Sequence, residues 1–162
     1  MLQQVKPSAF IGVDPGASGY ICLLAPLNPI GLFCSNSEPP AYIRDWLLVQ
    51  MQAYDIKIIM IEDVHSIHRV SAKSNFIFGY NLGTITAICK TVNLGVDKIQ
   101  PKVWQKALGV KTKGGPNIKK EVGNIVNTLY PSIAVRGPKG GLLDGKSDSL
   151  AIAHYIFKTL TK

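Results

Sequence analysis

The sequence predicts an α/β fold: a mixed sheet whose first strands form an antiparallel hairpin, with helices on both faces. Three observations carry this. Two short apolar, β-prone runs, residues 9–13 and 20–25, flank a polar turn containing Asp14, Pro15, Gly16 and Gly19. A continuous apolar run at residues 57–61, bounded by charge, reads as a strand buried on both faces. Stretches with helical spacing separate and follow these runs.

The remaining elements follow in order. Residues 26–40 are rich in Pro, Asn, Ser and Gly, and residues 30–34 within them read as a short third strand. Ile43, Trp46, Leu47, Gln50 and Met51 recur at helical spacing across 41–53, and Pro39 and Pro40 suit that helix's start. The strand at 57–61 ends in Glu62 and Asp63. Residues 64–73 are polar and basic without a clear period, as expected of a loop. A long helix is expected over 74–93, with Ile77, Tyr80, Ile85, Ile88 and Val92 as its apolar stripe. Gly79, Gly83 and Ala87 stand four apart on it and make a flat strip that admits another backbone, the sheet or a second copy of the helix. The spacing alone favours the sheet. A short strand at 95–100 and a Pro101-initiated helix to 108 follow. Residues 109–116 form a basic, Gly-rich loop, 117–130 a helix, 136–141 a second basic loop, and 144–160 a closing helix in which Ser147, Asp148 and Lys158 can be wet.

The 162 residues fit one domain spanning 1–162 with a sizeable core, and 46% apolar content excludes a disordered chain. No apolar run reaches the roughly 20 residues of a membrane span, so no membrane partner is expected, and residues 1–8 lack the layout of a signal peptide. Cys22, Cys34 and Cys89 lie in apolar segments without metal-ligand spacing, which points to reduced core thiols. The expected location is therefore intracellular and cytoplasmic, a nucleoid or a viral replication site included. Eighteen Lys+Arg against ten Asp+Glu give a net charge of +8, which favours a polyanion, nucleic acid before membrane. Lys98, Lys102, Lys106, Lys111, Lys113, Lys119 and Lys120 run without an intervening acid. The plainer reading of that run is a solvated face that aids solubility.

The acids lie elsewhere. Asp14 ends the first strand and Glu62 the fourth; neighbouring strands would set them side by side. Asp144 and Asp148 share one face of the closing helix, about a turn apart. Three or four converging carboxylates repel unless a cation intervenes, and hard oxygen donors suit Mg²⁺ or Mn²⁺ above zinc. Two such ions about 4 Å apart can activate water and stabilise the leaving oxygen of a phosphodiester. Acids for metal and lysines for a phosphate backbone together indicate a nuclease. Singly, each acid has a plainer role: Asp14 as a turn former, Asp144 as a helix N-cap, Asp148 as an exposed helix acid, Asp63 as a solvated group. His65 and His68 are a His-x-x-His pair, but Cys89 and His154 are poor companions for a zinc site, and His154 suits a packed or hydrogen-bonded role.

In this order the pieces Ile-Gly-Val-Asp14-Pro-Gly, Ile-Met-Ile-Glu62-Asp-Val, the Gly-spaced helix, Gln-Pro-Lys-Val-Trp-Gln-Lys-Ala-Leu-Gly and Asp144-Gly-Lys-Ser-Asp148-Ser-Leu-Ala-Ile-Ala-His resemble the RuvC-type Holliday-junction resolvases of the ribonuclease H-like superfamily. The resemblance spans about residues 10–155. It implies a ribonuclease H-like sheet and Mg²⁺-dependent hydrolysis of branched DNA. It also implies a homodimer nicking a four-way junction symmetrically. Asp14, Glu62 and Asp148 match the family's metal-binding acids. The family spaces its last two acids three apart; here Gly145 takes that position, and Asp144 is the candidate in its place. An aromatic wedge of the family is replaced by His65, which can stack on a base. Lys106, Lys119 and Lys120 fall in the family's basic segment. Lys111 and Lys113 of the neighbouring loop join them as candidate DNA contacts, and one lysine between 113 and 120 would offset developing charge. The Gly79–Gly83–Ala87 strip would lie near the dimer interface.

Rival readings keep the fold and change the substrate, to flaps, forks or RNA–DNA hybrids. Others make the chain an actin-like phosphotransferase, against which its length argues, or a DNA-binding module without catalysis.

Overall fold

The computed structural model describes residues 5–63, 71–113 and 115–161. Its elements are β1 (Ser8–Val13), β2 (Tyr20–Ala25), β3 (Ile30–Ser35), α1 (Pro40–Ala53), β4 (Asp55–Glu62), α2 (Ala72–Thr91), β5 (Val96–Ile99), α3 (Pro101–Leu108), α4 (Asn117–Leu129) and α5 (Asp144–Leu160). The strands form one sheet ordered β3-β2-β1-β4-β5, with β1–β2 and β2–β3 antiparallel and β1–β4 and β4–β5 parallel. The mixed sheet and its opening hairpin are as the sequence predicts, and the third strand is present.

β1 is the middle strand, which explains why residues 9–13 carry no charge: five of its six residues are buried. Strand alternation divides its side chains. Ile11 and Val13, with Ile59 and Ile61 of β4, join a core under α1 and α2. Met60 of β4 and Cys22 and Leu24 of β2 join a second core under α3, α4 and α5. Gly12 belongs to this second side. A Cβ there would stand 2.2 Å from the Ser149 carbonyl and 2.4 Å from the Ala153 nitrogen, so only glycine lets α5 lie this close to β1.

Three expectations need correction. The Gly79–Gly83–Ala87 strip does not face the sheet: all three residues are exposed, and nothing approaches within 4 Å of a Cβ built on either glycine. The sheet-facing residues of α2 are Asn81, Ile85, Ile88 and Cys89. Tyr80 consequently leaves the expected stripe and is 59% exposed. Ser147, expected to be wet, is fully buried and donates to the Asp144 carbonyl at 2.8 Å. Cys22, Cys34 and Cys89 are free and buried, and burial pushes the Cys34 thiol up to about 11. Among the described residues, no helix is long and apolar enough to cross a membrane.

Candidate active site

β1 and β4 run parallel, so their carboxyl ends open on the same edge of the sheet, where α/β folds place ligands. Val13 pairs with Ile61, so Asp14 and Glu62 stand side by side one residue further on. Both keep the alternation of Gly12 and Met60 and so belong to the α5 side, where Asp144 and Asp148 arrive. All four carboxylates line one cavity of about 500 Å³, with Lys119 of α4 in its wall and Ser74, Phe78 and Gly79 of α2 opposite.

The electrostatics follow from this crowding. Asp14 is raised from its ordinary value, chiefly by burial and further by Asp144, against the Gly16 N–H that its Oδ1 accepts at 2.9 Å and against Lys119. Glu62 is pushed up to about 7 by burial and then by Asp14; the Trp104 indole N–H, donating to Oε1 at 3.0 Å, and Lys119 pull the other way. Asp148 lies well above the carboxylate range through burial, then Asp14 and Glu62. Lys119 donates to Asp144 Oδ2 at 2.8 Å, and that bond holds its ammonium above the usual value. The site is a concentration of negative charge relieved by protons and one lysine.

The donor set fits a hard divalent cation: every candidate ligand is a carboxylate oxygen, and the charge it would neutralise is already under strain. As the side chains stand, no three His, Cys, Asp or Glu among the described residues are arranged to hold one ion. Lys119 is bonded to one member of the set, so a cation entering there competes with its ammonium.

Gly145 explains the shifted acid. A Cβ at 145 would lie 2.3 Å from the Ser18 carbonyl oxygen and 2.7 Å from Gly19 Cα. The first turn of α5 presses on the β1–β2 turn there, no side chain fits, and Asp144 one residue earlier lines the cavity instead. Asp144 is not the N-cap of α5: the helix begins at it, with Leu143 at the cap position. Nor is Asp148 an exposed helix acid. Asp14 closes its own turn through Gly16 and also lines the cavity. Asp63 pairs with Lys98 at 3.5 Å, and His154 is a packed histidine bonded at Nδ1 to the Tyr130 hydroxyl at 2.7 Å.

Of the candidate DNA contacts among the described residues, only Lys119 lines this cavity. Lys106 is exposed on α3, Lys120 on α4, and Lys111 and Lys113 in the loop between them. That loop is tied to α4 by Glu121, whose carboxylate accepts the N–H groups of Lys111 and Thr112 at 2.8 and 2.9 Å. His65 and His68 lie outside the described residues. Sequence reasoning missed Trp104 and two asparagines, Asn36 and Asn81, which bond the carbonyls of the Asp14 turn. A polar atom on a residue destined for burial is the only signal that could have marked them.

An antiparallel three-stranded meander continued by two parallel strands, with acids gathered at the strand ends under the last helix, defines the ribonuclease H-like class of fold. Within that class the chain has a RuvC-type resolvase fold. It is similar to Thermus thermophilus RuvC in complex with a Holliday-junction substrate, with a TM-score of 0.62 and 19% identity over 94% of this chain and 96% of that one. A second Thermus thermophilus RuvC structure gives 0.59 and 18% over 94% and 97%. No protein-family model and no curated protein matches the sequence.

Proposed function

We propose that the protein is a divalent-metal-dependent DNA endonuclease that resolves four-way junctions by paired nicks as a homodimer. The observation that carries the reading is the meeting of Asp14, Glu62, Asp144 and Asp148 in one cavity beside Lys119, at the strand ends of a RuvC-type fold. Asp14, Glu62 and Asp148, with Asp144, would hold Mg²⁺ or Mn²⁺, two ions per site. Such ions supply Lewis-acid polarisation of a phosphodiester and a lowered pKa for water. The chain's own groups do the rest. Trp104 fixes one oxygen of Glu62, so its carboxylate keeps one orientation. Lys119 carries its charge at the cavity wall, where it can offset negative charge that develops on a phosphate. The exposed lysines of α3, α4 and the intervening loop give sequence-independent contacts to the DNA backbone. Exposed Phe76 and Tyr80 and the open Gly79–Gly83 strip of α2 are the surface offered to a second copy.

The test is cleavage of a synthetic four-way junction, a flap and an RNA–DNA hybrid side by side, with Mg²⁺ and with chelator. Symmetric nicks in the junction alone, only with Mg²⁺, support resolution. Equal cutting of all three leaves a broad nuclease, and salt-sensitive binding without nicking leaves a binding module.

A further inference from the structure

The turn that carries Asp14 has few ways to satisfy its own backbone. Pro15 has no N–H, and the carbonyls of residues 14, 15 and 16 all need donors. Within the turn the Gly19 N–H donates to the Gly16 carbonyl at 3.0 Å, and two side-chain amides from distant parts of the chain reach all three carbonyls. Asn36, just after β3, donates Nδ2 to the Asp14 carbonyl at 2.6 Å and to that of Gly16 at 3.1 Å. Asn81, in the middle of α2, donates Nδ2 to the Pro15 carbonyl at 3.1 Å and to that of Gly16 at 3.3 Å. Both residues are 8% exposed.

The peptide between Pro15 and Gly16 links these bonds to the carboxylate. It is trans and planar, so its carbonyl and its N–H point in opposite directions. Asn81 holds the carbonyl end, and the N–H end donates to Asp14 Oδ1 at 2.9 Å. Fixing one end therefore aims the other. Asn36 adds a second anchor and is itself registered by its backbone N–H on the Gly19 carbonyl at 3.1 Å. Its amide has one usable orientation, because turning it over would set an oxygen against two carbonyl oxygens. In the orientation present, Asn36 Oδ1 is buried without a hydrogen-bond partner among the described residues. An orphaned acceptor is costly, so the donor end is what the position serves. The turn has no slack either: a Cβ on Gly19 would lie 2.0 Å from the Asp14 carbonyl oxygen.

We propose that Asn36 and Asn81 are positioning residues for Asp14, a two-amide clamp that holds its carboxylate in one orientation at the cavity, where a cation would bind. The proposal rests on the nuclease reading above. It also makes α2 part of the site's machinery although that helix contributes no carboxylate.

The test is Mn²⁺ titration calorimetry on the full chain, comparing wild type with Asn81→Leu, which keeps the shape and removes the donor, and with Asn36→Ala on the other anchor. Each variant should bind Mn²⁺ roughly tenfold more weakly, within the 10–100-fold typical of supporting groups. Junction cleavage should return when Mn²⁺ is raised in proportion, with KM for the junction unchanged. In an Asp14→Asn background, Asn81→Leu should cost no further Mn²⁺ affinity, because the clamp acts through that carboxylate. Should Asn81→Leu fail to fold, Asn81→Ala and Asn36→Ala carry the same comparison. Unchanged affinity in a folded variant, or an additive loss beside Asp14→Asn, overturns the clamp alone. A wild type that binds no Mn²⁺ overturns the clamp and the nuclease reading together.

Discussion

Helices α5 and α2 both border the acidic cavity, yet they are built in opposite ways. The 17-residue α5 buries eight residues and lies so close to β1 and the following turn that Gly12 and Gly145 admit no Cβ. The longer α2 buries four, and its glycines at 79 and 83 face open space. α5 brings two carboxylates to the site; α2 brings wall residues and the Asn81 amide. The difference separates two tasks. Chemistry needs acids held against a rigid sheet, and α5 has the rigidity of a core element. α2 leaves apolar groups and a flat strip uncovered, as the proposed contact with a second copy would need.

The largest test of this division is on the α5 side. Asp148→Asn should reduce Mg²⁺-dependent junction cleavage to background while gel-shift affinity for the junction is kept or improved, since one repulsive charge is gone. Phe76→Ala on α2 should leave the active site intact and act on oligomeric state instead, read by light scattering.

Next in size is the response to pH. Glu62 holds its proton up to about 7 in the folded chain, against an ordinary 4.5, and Asp148 and Asp14 are also raised. Between those values the folded chain binds more protons than the unfolded one. The stability Glu62 gives is thus full below about 4.5 and is lost as pH rises through 7, and Asp14 and Asp148, raised from an ordinary 3.8, act with the same sign. Urea unfolding in chelator should show a decline on the order of 3 kcal/mol across that window, at about 1.4 kcal/mol per unit. Saturating Mg²⁺ should flatten it, because the cation favours the charged forms.

The glycines sharpen the contrast further. Gly12→Ala should destabilise by about 1–3 kcal/mol or more, because α5 must retreat from β1. Gly79→Ala and Gly83→Ala should each stabilise α2 by up to about 1 kcal/mol through helix propensity in the dilute chain. A second copy seated on the strip reverses that sign as concentration rises. Trp104→Phe tests the α5 side from a single hydrogen bond: losing the indole donor should lift Glu62 further, shift the pH–rate profile upward and lower cleavage about tenfold at neutral pH.

Much of this was legible because it depends on local pattern. Two β-prone runs around Asp-Pro-Gly read as a hairpin, and the short apolar run before Glu62, bounded by charge, reads as an inner strand. Asp144 and Asp148 share a helix face by spacing alone. The choice among lysines was not legible, because seven exposed lysines are alike until α4 docks and sets Lys119 against Asp144. Nor was the direction of the Gly79–Gly83 strip legible: the spacing favoured the sheet, but small residues also suit a second helix, and the strip faces away from the sheet. Gly145 looked like a missing acid; only the 2.3 Å approach to Ser18 shows that no acid could stand there.

The sequence alone therefore determined the strands, the helices and which acids line the cavity, because hydrophobic period and turn chemistry act over a few residues. Tertiary structure decided which strands are neighbours, which lysine enters the site and how the Asp14 turn is held. Those depend on contacts between segments tens of residues apart, and a long-range contact leaves no periodic trace in the chain that makes it.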